Sequence, residues 1–205
     1  LRSITTCLGP DDEIVICDDA SDDNTIAVLE KFVDERIKLF KFDERVGYQK
    51  NFERAAKRAR GQFIFFSDQD DIWSDDKYIK VLARFSKEKS PCLVVHSLST
   101  MNENGDLISD QWLSLPETSI GGFKFLLREL LKPRVFGSAA ALKRNVLKIM
   151  LPFPKGVYAH DHWLTICAGI TGHSDFIKDI LVYRRVHNNN LTLVGGLNYY
   201  LKICY

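Results

Sequence analysis

Asp68, Asp70 and Asp71 place three carboxylates within four residues, directly after an apolar run at residues 63–66. Like charges at this spacing repel one another, so a folded protein accommodates them best around a cation or a set of backbone donors. The apolar run has the length and composition of a buried strand, and open α/β sheets bind ligands at the carboxyl ends of their strands. The cluster therefore predicts a divalent metal ion and an anionic ligand that the metal ion holds.

A second acidic pair, Asp18 and Asp19, ends an earlier apolar run at residues 12–17. Taken alone, either residue is expected to shape a turn or cap a helix. In a parallel sheet, however, both acidic groups lie at the same edge. Together they predict a nucleotide and metal site, in which one carboxylate holds a ribose or base and another holds the metal ion that bridges the phosphates.

The elements that must position these acids alternate over the first half of the chain. Stretches rich in apolar residues predict strands at residues 12–17, 36–42, 63–66 and 92–98, and the first of them, with its continuous apolar residues 14–17, is typical of a strand covered on both faces. Apolar stripes and end signals predict helices that begin at Ser21 and that cover residues 48–60 and 75–87. This alternation is typical of a parallel α/β sheet with right-handed connections.

The second half of the chain is less regular. Residues 99–118 are rich in Asn, Gly, Ser and Pro, and a loop of this length predicts a lid or a binding loop. Helical patterns lie at residues 123–131 and 162–169, and extended ones at residues 135–142 and 176–183. The apolar and aromatic residues 197–205 predict a last helix that rests on a membrane surface, although a dimer contact or core packing explains the same composition.

Length, charge and cysteine usage limit the class of protein. The 205 residues, 45% of them hydrophobic, fit one domain, with a nucleotide-binding half at residues 1–98 and an acceptor-side half at residues 99–205. A net charge of +1 gives no broad attraction to nucleic acid. Five scattered cysteines without a CxxC pair indicate neither a zinc site nor a disulfide framework, but a reducing compartment. With no signal peptide and no apolar run near the roughly 20 residues of a membrane span, we expect a cytoplasmic protein, peripheral at the inner face of the membrane.

Four blocks of sequence carry a resemblance to a known family. They are residues 14–25 (IVICDDASDDNT), 45–51 (RVGYQKN), 61–73 (GQFIFFSDQDDIW) and 159–163 (AHDHW). In this order, over nearly the whole chain, they resemble the family 2 glycosyltransferases, most closely the bacterial rhamnosyltransferase-type members that build polysaccharide. The resemblance implies a GT-A fold, which is Rossmann-like with a mostly parallel central sheet flanked by helices. The sequence as given begins after the strand with which that family starts, so we expect that strand either to precede Leu1 in the natural protein or to be missing from the sheet.

The resemblance also implies a reaction and roles for particular residues. The reaction is the inverting transfer of a sugar from a dTDP- or UDP-sugar to a saccharide or lipid-linked acceptor, with Mn²⁺ or Mg²⁺. Asp19, with Asp18 beside it, matches the acid at the uracil or ribose end of the nucleotide. Asp70 matches the main metal ligand, and Asp68 the position nearer the ribose. Asp161 matches the catalytic base.

Other positions match the family in less specific ways. Arg185 and His187 lie in a stretch that folds over the donor in related enzymes. Arg185 is therefore expected at the diphosphate and His187 at the diphosphate or the metal ion, whereas a solvated basic loop is the other reading. Gly137 and Ser138 match a small-residue turn near the sugar pocket, although tight packing explains them equally well.

Several alternatives stay open on the sequence alone. Asp161 also fits the N-cap of a helix, and with His160 and His162 it forms a weaker candidate for a transition-metal site. A non-catalytic nucleotide-binding or scaffolding relative is a second function. A phosphoacceptor receiver domain is a third, prompted by the acidic pair after the first strand, but the crowded acids after residue 66 fit it poorly.

Overall fold

The computed structural model describes residues 1–113, 122–131, 135–157 and 159–187. The helices are α1 Arg2–Thr5, α2 Thr25–Leu29, α3 Tyr48–Arg58, α4 Lys77–Phe85, α5 Gly122–Leu131, α6 Arg144–Met150 and α7 His160–Thr171. The strands are β1 Ile14–Asp19, β2 Ile37–Phe42, β3 Phe63–Phe65, β4 Ile72–Trp73, β5 Leu93–Met101, β6 Leu107–Leu113, β7 Ala140–Lys143 and β8 Ser174–Arg185. A 3₁₀ turn, Gly137–Ala139, leads into β7. No helix within the described ranges is long and apolar enough to span a membrane.

The strands form two sheets. β1 and β2 pair in parallel. The six-stranded sheet has the order β3-β7-β5-β8-β4, and β6 pairs with the second half of β5. This order brings β4, with the acidic loop that precedes it, against the end of β8.

The predicted α/β class is confirmed, but the expectation of one mostly parallel sheet is corrected. Within the six-stranded sheet, only the described β5–β8 pairing is parallel. One reason is that β5 returns to β6 through a tight turn at residues 102–106, in which Gly105 has a φ of 93°. Short connections of this kind give antiparallel neighbours. Among the described strands, none pairs with members of both sheets.

Two predicted elements differ from the structure for local reasons. The polar stretch at residues 99–118 is in part strand, because β5 runs to Met101 with Ser99 and Thr100 buried, and β6 follows. The helix expected from Ser21 begins at Thr25 instead, since Ser21 is engaged by the carboxylate of Asp18. The helix at residues 197–205 lies outside the described residues.

The hydrophobic core lies on both faces of the six-stranded sheet. On one face, side chains of β5, β7 and β8 pack against side chains of α6 and α7. This cluster includes Leu93, Leu142 and Phe176 from the strands and Val146 and Leu164 from the helices. On the other face a smaller cluster packs under α4; it includes Val81, Phe85, Val94, Ile177 and Leu181. Because adjacent residues of β5 point to opposite faces, the sheet holds α4 and α7 on opposite sides. The acidic loop and the first turn of α7 are thereby fixed to one rigid core.

Candidate active site

The acidic loop connects β3 to β4, and pairing of β4 with β8 places the loop beside the end of the last described strand. Ile72 lies opposite Tyr183 in this pairing. Two residues beyond β8, the His187 Nε2 atom lies 3.0 Å from the Asp70 Oδ2 atom, and both side chains are largely buried. Sheet pairing therefore joins two positions that the sequence assigned to one metal ion.

Asp68 lies where the acidic loop faces the first turn of α7. Burial raises the pKa of this carboxyl, His160 and Arg184 lower it, and the charges of Asp70 and Asp161 raise it again. The charge of Asp161 thus acts on Asp68, and the His160 ring meets the Phe66 ring edge-on with centroids 5.6 Å apart, so that two of the four sequence blocks meet. An acid of the nucleotide motif and the candidate base are therefore brought near each other.

Asp161 lies in the first turn of α7, after the N-cap residue Ala159. Its carboxylate accepts a hydrogen bond from the backbone N–H of His162 at 2.8 Å. Burial raises its pKa to about 6, and the His162 and Gly137 backbone amides oppose this shift. A carboxylate in this range is ionised at neutral pH but is a stronger base than an ordinary Asp.

His160 packs as an aromatic residue. Its ring stacks on Phe52 with centroids 4.3 Å apart and meets Phe66 edge-on. Burial lowers the pKa of its ring to about 4, so the ring is neutral at pH 7. Across the described ranges, no three His, Cys, Asp or Glu side chains come together to hold a metal ion by themselves. The three-residue transition-metal site considered around Asp161 is therefore wrong.

Asp71, the last acid of the loop, and Lys77, at the start of α4, are both buried. Asp71 is 4% exposed, and neither carboxylate oxygen receives a hydrogen bond of good geometry from the described residues. Burial raises its pKa to about 7, and the Asp68 charge adds to the shift, whereas Ser138 lowers it. Lys77, wholly buried, donates a hydrogen bond from Nζ to the Ser138 carbonyl oxygen at 2.7 Å.

Sequence reasoning missed both Lys77 and Arg184. On an amphipathic helix a lysine is normally assigned to the exposed face, and nothing in the local pattern marks Lys77 otherwise. Arg184 is buried near Phe136, and its charge lowers the pKa values of Asp68 and Asp71. Its place in the Tyr-Arg-Arg run, predicted to follow a strand, was a signal. The prediction, however, assigned the diphosphate contact to the neighbouring Arg185.

Arg185, the neighbour expected at the diphosphate, contacts the β5–β6 turn. Its Nη1 atom donates to the carbonyl oxygens of Asn102 and Glu103, at 3.1 Å and 2.6 Å. These contacts place the Arg185 guanidinium at the turn, while Arg184 supplies positive charge to the acidic loop. A role for Arg185 at the diphosphate stays a prediction.

Asp18 and Asp19 are held by the chain around them. The Asp18 carboxylate accepts from the backbone N–H of Ser21 at 3.0 Å and from its hydroxyl group. The Asp19 carboxylate accepts from the N–H groups of Val46 and Gly47, at 2.9 Å and 2.8 Å. It therefore holds the start of α3.

Helix α3 links this acidic pair to the rest of the site. Arg54 in its middle forms an ion pair with Asp19 at 3.3 Å. Asn51 donates to the Cys17 carbonyl oxygen at 2.6 Å, and Phe52 stacks on His160. One face of the helix thus contacts the end of β1, and another contacts the first turn of α7.

Comparisons with known proteins match this chain to one family. The family model described as glycosyl transferase family 2 matches residues 1–149. A Bacillus subtilis protein named as a teichuronic acid biosynthesis glycosyltransferase, TuaG, is 33% identical over 197 residues, which cover 94% of this chain and 74% of that protein. The Escherichia coli protein WfgD, named UDP-Glc:alpha-D-GlcNAc-diphosphoundecaprenol beta-1,3-glucosyltransferase, is 30% identical over 156 residues, or 75% of this chain and 57% of that protein.

Solved structures show the same fold at lower identity. The crystal structure of S. aureus TarS 1-349 in complex with UDP-GlcNAc matches with a TM-score of 0.74 and 20% identity, over 98% of this chain and 58% of that one. The UDP complex of TarS 1-349 matches with a TM-score of 0.71 and 22% identity, over 90% and 55%. The chain therefore spans under three-fifths of WfgD and of these TarS chains.

Proposed function

Because this chain belongs to glycosyltransferase family 2 and has the predicted GT-A fold, we propose that it is an inverting transferase of bacterial cell-surface polysaccharide synthesis. It moves a sugar from a nucleoside diphosphate donor to a saccharide or lipid-linked acceptor. The supporting observation is that the first turn of α7, which carries Asp161, packs against the start of the acidic loop: the His160 ring meets the Phe66 ring edge-on with centroids 5.6 Å apart, and the charge of Asp161 acts on Asp68. A donor-binding acid and a base for the acceptor must face each other across the transferred sugar.

The nature of the donor is argued from the relatives. WfgD is named for UDP-glucose and for a GlcNAc-diphosphoundecaprenol acceptor, and TarS was crystallised with UDP-GlcNAc. We therefore place UDP-sugars first as donors and lipid-linked diphosphates first as acceptors. The likeness to rhamnosyltransferase-type members, and with it a dTDP-sugar, stays a prediction. So does a cytoplasmic position at the inner face of the membrane.

Asp70 and His187 are the residues proposed to hold Mg²⁺ or Mn²⁺. Their 3.0 Å contact brings a carboxylate oxygen and an imidazole nitrogen together, and Asp68 adds negative charge beside them. Two protein ligands fit this chemistry, because such cations commonly take one or two carboxylates and complete their shell with phosphate oxygens and water. When bound, the metal ion would supply Lewis-acid stabilisation of the charge that develops on the leaving diphosphate.

The chain's own residues account for the acceptor side of the reaction. The acceptor oxygen forms its bond to the anomeric carbon while the bond from that carbon to the donor phosphate oxygen breaks. Attack from the opposite face inverts the configuration. The proton of the acceptor hydroxyl passes to the Asp161 carboxylate, whose pKa of about 6 leaves it ionised and ready at neutral pH. Arg184 adds positive charge on the side of the diphosphate.

A panel of UDP- and dTDP-sugars, assayed for nucleoside diphosphate release with Mn²⁺ or Mg²⁺ and a GlcNAc-diphosphate lipid acceptor, tests the proposal. We expect one donor to be turned over at a rate that depends on both metal and acceptor. If the protein binds a donor but releases no nucleoside diphosphate with any acceptor class, the result would instead support the alternative of a non-catalytic nucleotide-binding protein. Turnover that is unaffected by chelation would remove the metal ion from the proposal.

A further inference from the structure

Lys77 is a charged side chain with no exposed surface, and the transfer mechanism does not use it. It begins α4, directly beneath the acidic loop. Its Nζ atom lies 4.0 Å from the centroid of the Trp73 ring, and it donates to the Ser138 carbonyl oxygen at 2.7 Å. A methionine would fill this volume without the free-energy penalty of burying an ammonium group, so packing alone does not explain a lysine here.

Three polar groups from different segments interact with Lys77, one through a hydrogen bond and two through electrostatics. One is the Ser138 carbonyl oxygen. A second is the Asp71 carboxyl group: burial lowers the pKa of Lys77 to about 7, and the charge of Asp71 opposes that shift. The third is on His96 of β5, where Nδ1 must donate to the Ser97 carbonyl oxygen at 2.9 Å, which leaves Nε2 as an acceptor without a described partner. The hydrogen bond to Ser138 and the contact with the Trp73 ring hold the end of the Lys77 side chain between the turn at residues 137–139 and β4, the strand that follows the acidic loop.

Ser138 is connected to the candidate base, Asp161, through its neighbour Gly137. The adjacent Gly137 packs on the first turn of α7 so closely that an added Cβ atom would lie 2.8 Å from His160 Nε2 and 3.8 Å from Asp161 Cβ. The Gly137 backbone amide also lowers the pKa of Asp161. Any shift of the turn at residues 137–139 must therefore move or reorient Asp161.

We propose that Lys77 is a positioning residue: it ties the acidic loop to the turn at residues 137–139 and so sets Asp161 against the donor-binding carboxylates. The inference rests on the proposed function, because it assigns Lys77 to the geometry of that reaction. Lys77 touches neither donor nor acceptor. Its removal is expected to slow the transfer step, because small misplacements of reacting groups cost large factors in rate, while donor binding at Asp70 and His187 persists.

The test compares Lys77→Met with Lys80→Met, a matched change on the same helix at an exposed lysine paired with Asp76 and Asp179. Calorimetry with Mn²⁺ and UDP gives the number of donor sites and Kd, and turnover is expressed per donor site, so that partial unfolding does not count as slow catalysis. We expect Lys77→Met to bind UDP within about threefold of wild type and to transfer sugar at least tenfold more slowly. Its pH profile should move to higher pH, since Asp161 loses the amide that lowers its pKa.

Wild-type turnover per site in Lys77→Met would overturn the inference, because Lys77 would then act on stability alone. Inactivity of both wild type and Lys80→Met would overturn the proposed function, and this inference with it. If Lys77→Met does not fold, the double variant Asp71→Asn/Lys77→Met is compared with Asp71→Asn, because removing both buried charges avoids an unpaired one. Turnover at least tenfold below Asp71→Asn supports the inference, and equal turnover overturns it.

Discussion

The Nε2 atom of His187 lies 3.0 Å from the Oδ2 atom of Asp70, although 117 residues separate them in the chain. The contact exists because β4, which follows the acidic loop, pairs with β8, which precedes His187. The residues that follow β8, with His187 among them, are thereby placed beside the acidic loop. In the proposed function, this pair holds the metal ion and the diphosphate that the ion neutralises.

Removing either member of this pair should weaken metal activation. For Asp70→Asn and His187→Gln, we expect the Mn²⁺ concentration that gives half-maximal activity to rise about tenfold or more, the scale of changes around metal sites. The matched control is Asp75→Asn, an exposed carboxylate beyond β4. Metal titrations of donor turnover measure the effect. Unchanged activation constants in both variants would place the metal ion elsewhere.

The rate of transfer should follow the ionisation of Asp161. Because its pKa is raised to about 6, the carboxylate gains its proton as the pH falls through 6. At saturating donor and acceptor, kcat should therefore be level above about pH 7 and fall towards tenfold per pH unit below 6. Circular dichroism at each pH serves as the folding control. A kcat that stays level down to pH 5 in folded protein would show that this carboxylate is not the base.

Asp19 should contribute mainly to stability, through the start of α3. Asp19→Asn removes the charge that receives two backbone N–H groups and faces Arg54. Charged hydrogen bonds are worth roughly 1.5–3 kcal/mol, so we expect Tm to fall by about 3–10 °C. Asp22→Asn, at a solvent-exposed carboxylate 3.7 Å from Arg45, is the control and should change Tm little. An unchanged Tm together with a much raised donor KM would instead assign Asp19 to the nucleotide.

Gly137→Ala should slow transfer through its contact with α7. The new Cβ atom would meet His160 Nε2 at 2.8 Å, and the ring cannot retreat easily because it stacks on Phe52. Displacement of the first turn of α7 should lower kcat by roughly 10- to 100-fold. Gly172→Ala, at the other end of α7, is the control, since its Cβ atom would meet Cys92 Sγ at an ordinary 3.6 Å. Equal kcat in both variants would show that the turn does not constrain Asp161.

Much of the fold was predictable because local patterns agree with the tertiary structure. The composition of β2 and the apolar stripes of α3 and α4 gave correct elements within a few residues. The approach failed at β5 and β6, where buried Ser and Thr side chains continue the strand and a turn at residues 102–106 hides a hairpin in a polar stretch. Strand direction was not predictable either, because pairing partners are set by contacts distant in sequence.

The candidate site shows a similar division. Acids that end strands or begin helices, such as Asp68 and Asp161, are visible from position alone. Lys77 was not, because its burial depends on three segments that meet only in the folded chain. The contact of Arg185 with the β5–β6 turn was hidden for the same reason, since that turn was itself unrecognised.

The central claim is that Asp161 acts on the acceptor while the acidic loop holds the donor, and a single-turnover experiment tests it most directly. Wild type and Asp161→Asn are each loaded with Mn²⁺ and a radiolabelled nucleotide sugar and then mixed with acceptor. We predict equal loading of both proteins, and transfer about 10²–10⁴-fold slower in Asp161→Asn, the usual contribution of a general base. Transfer by Asp161→Asn at the wild-type rate from an equally loaded site would contradict the account.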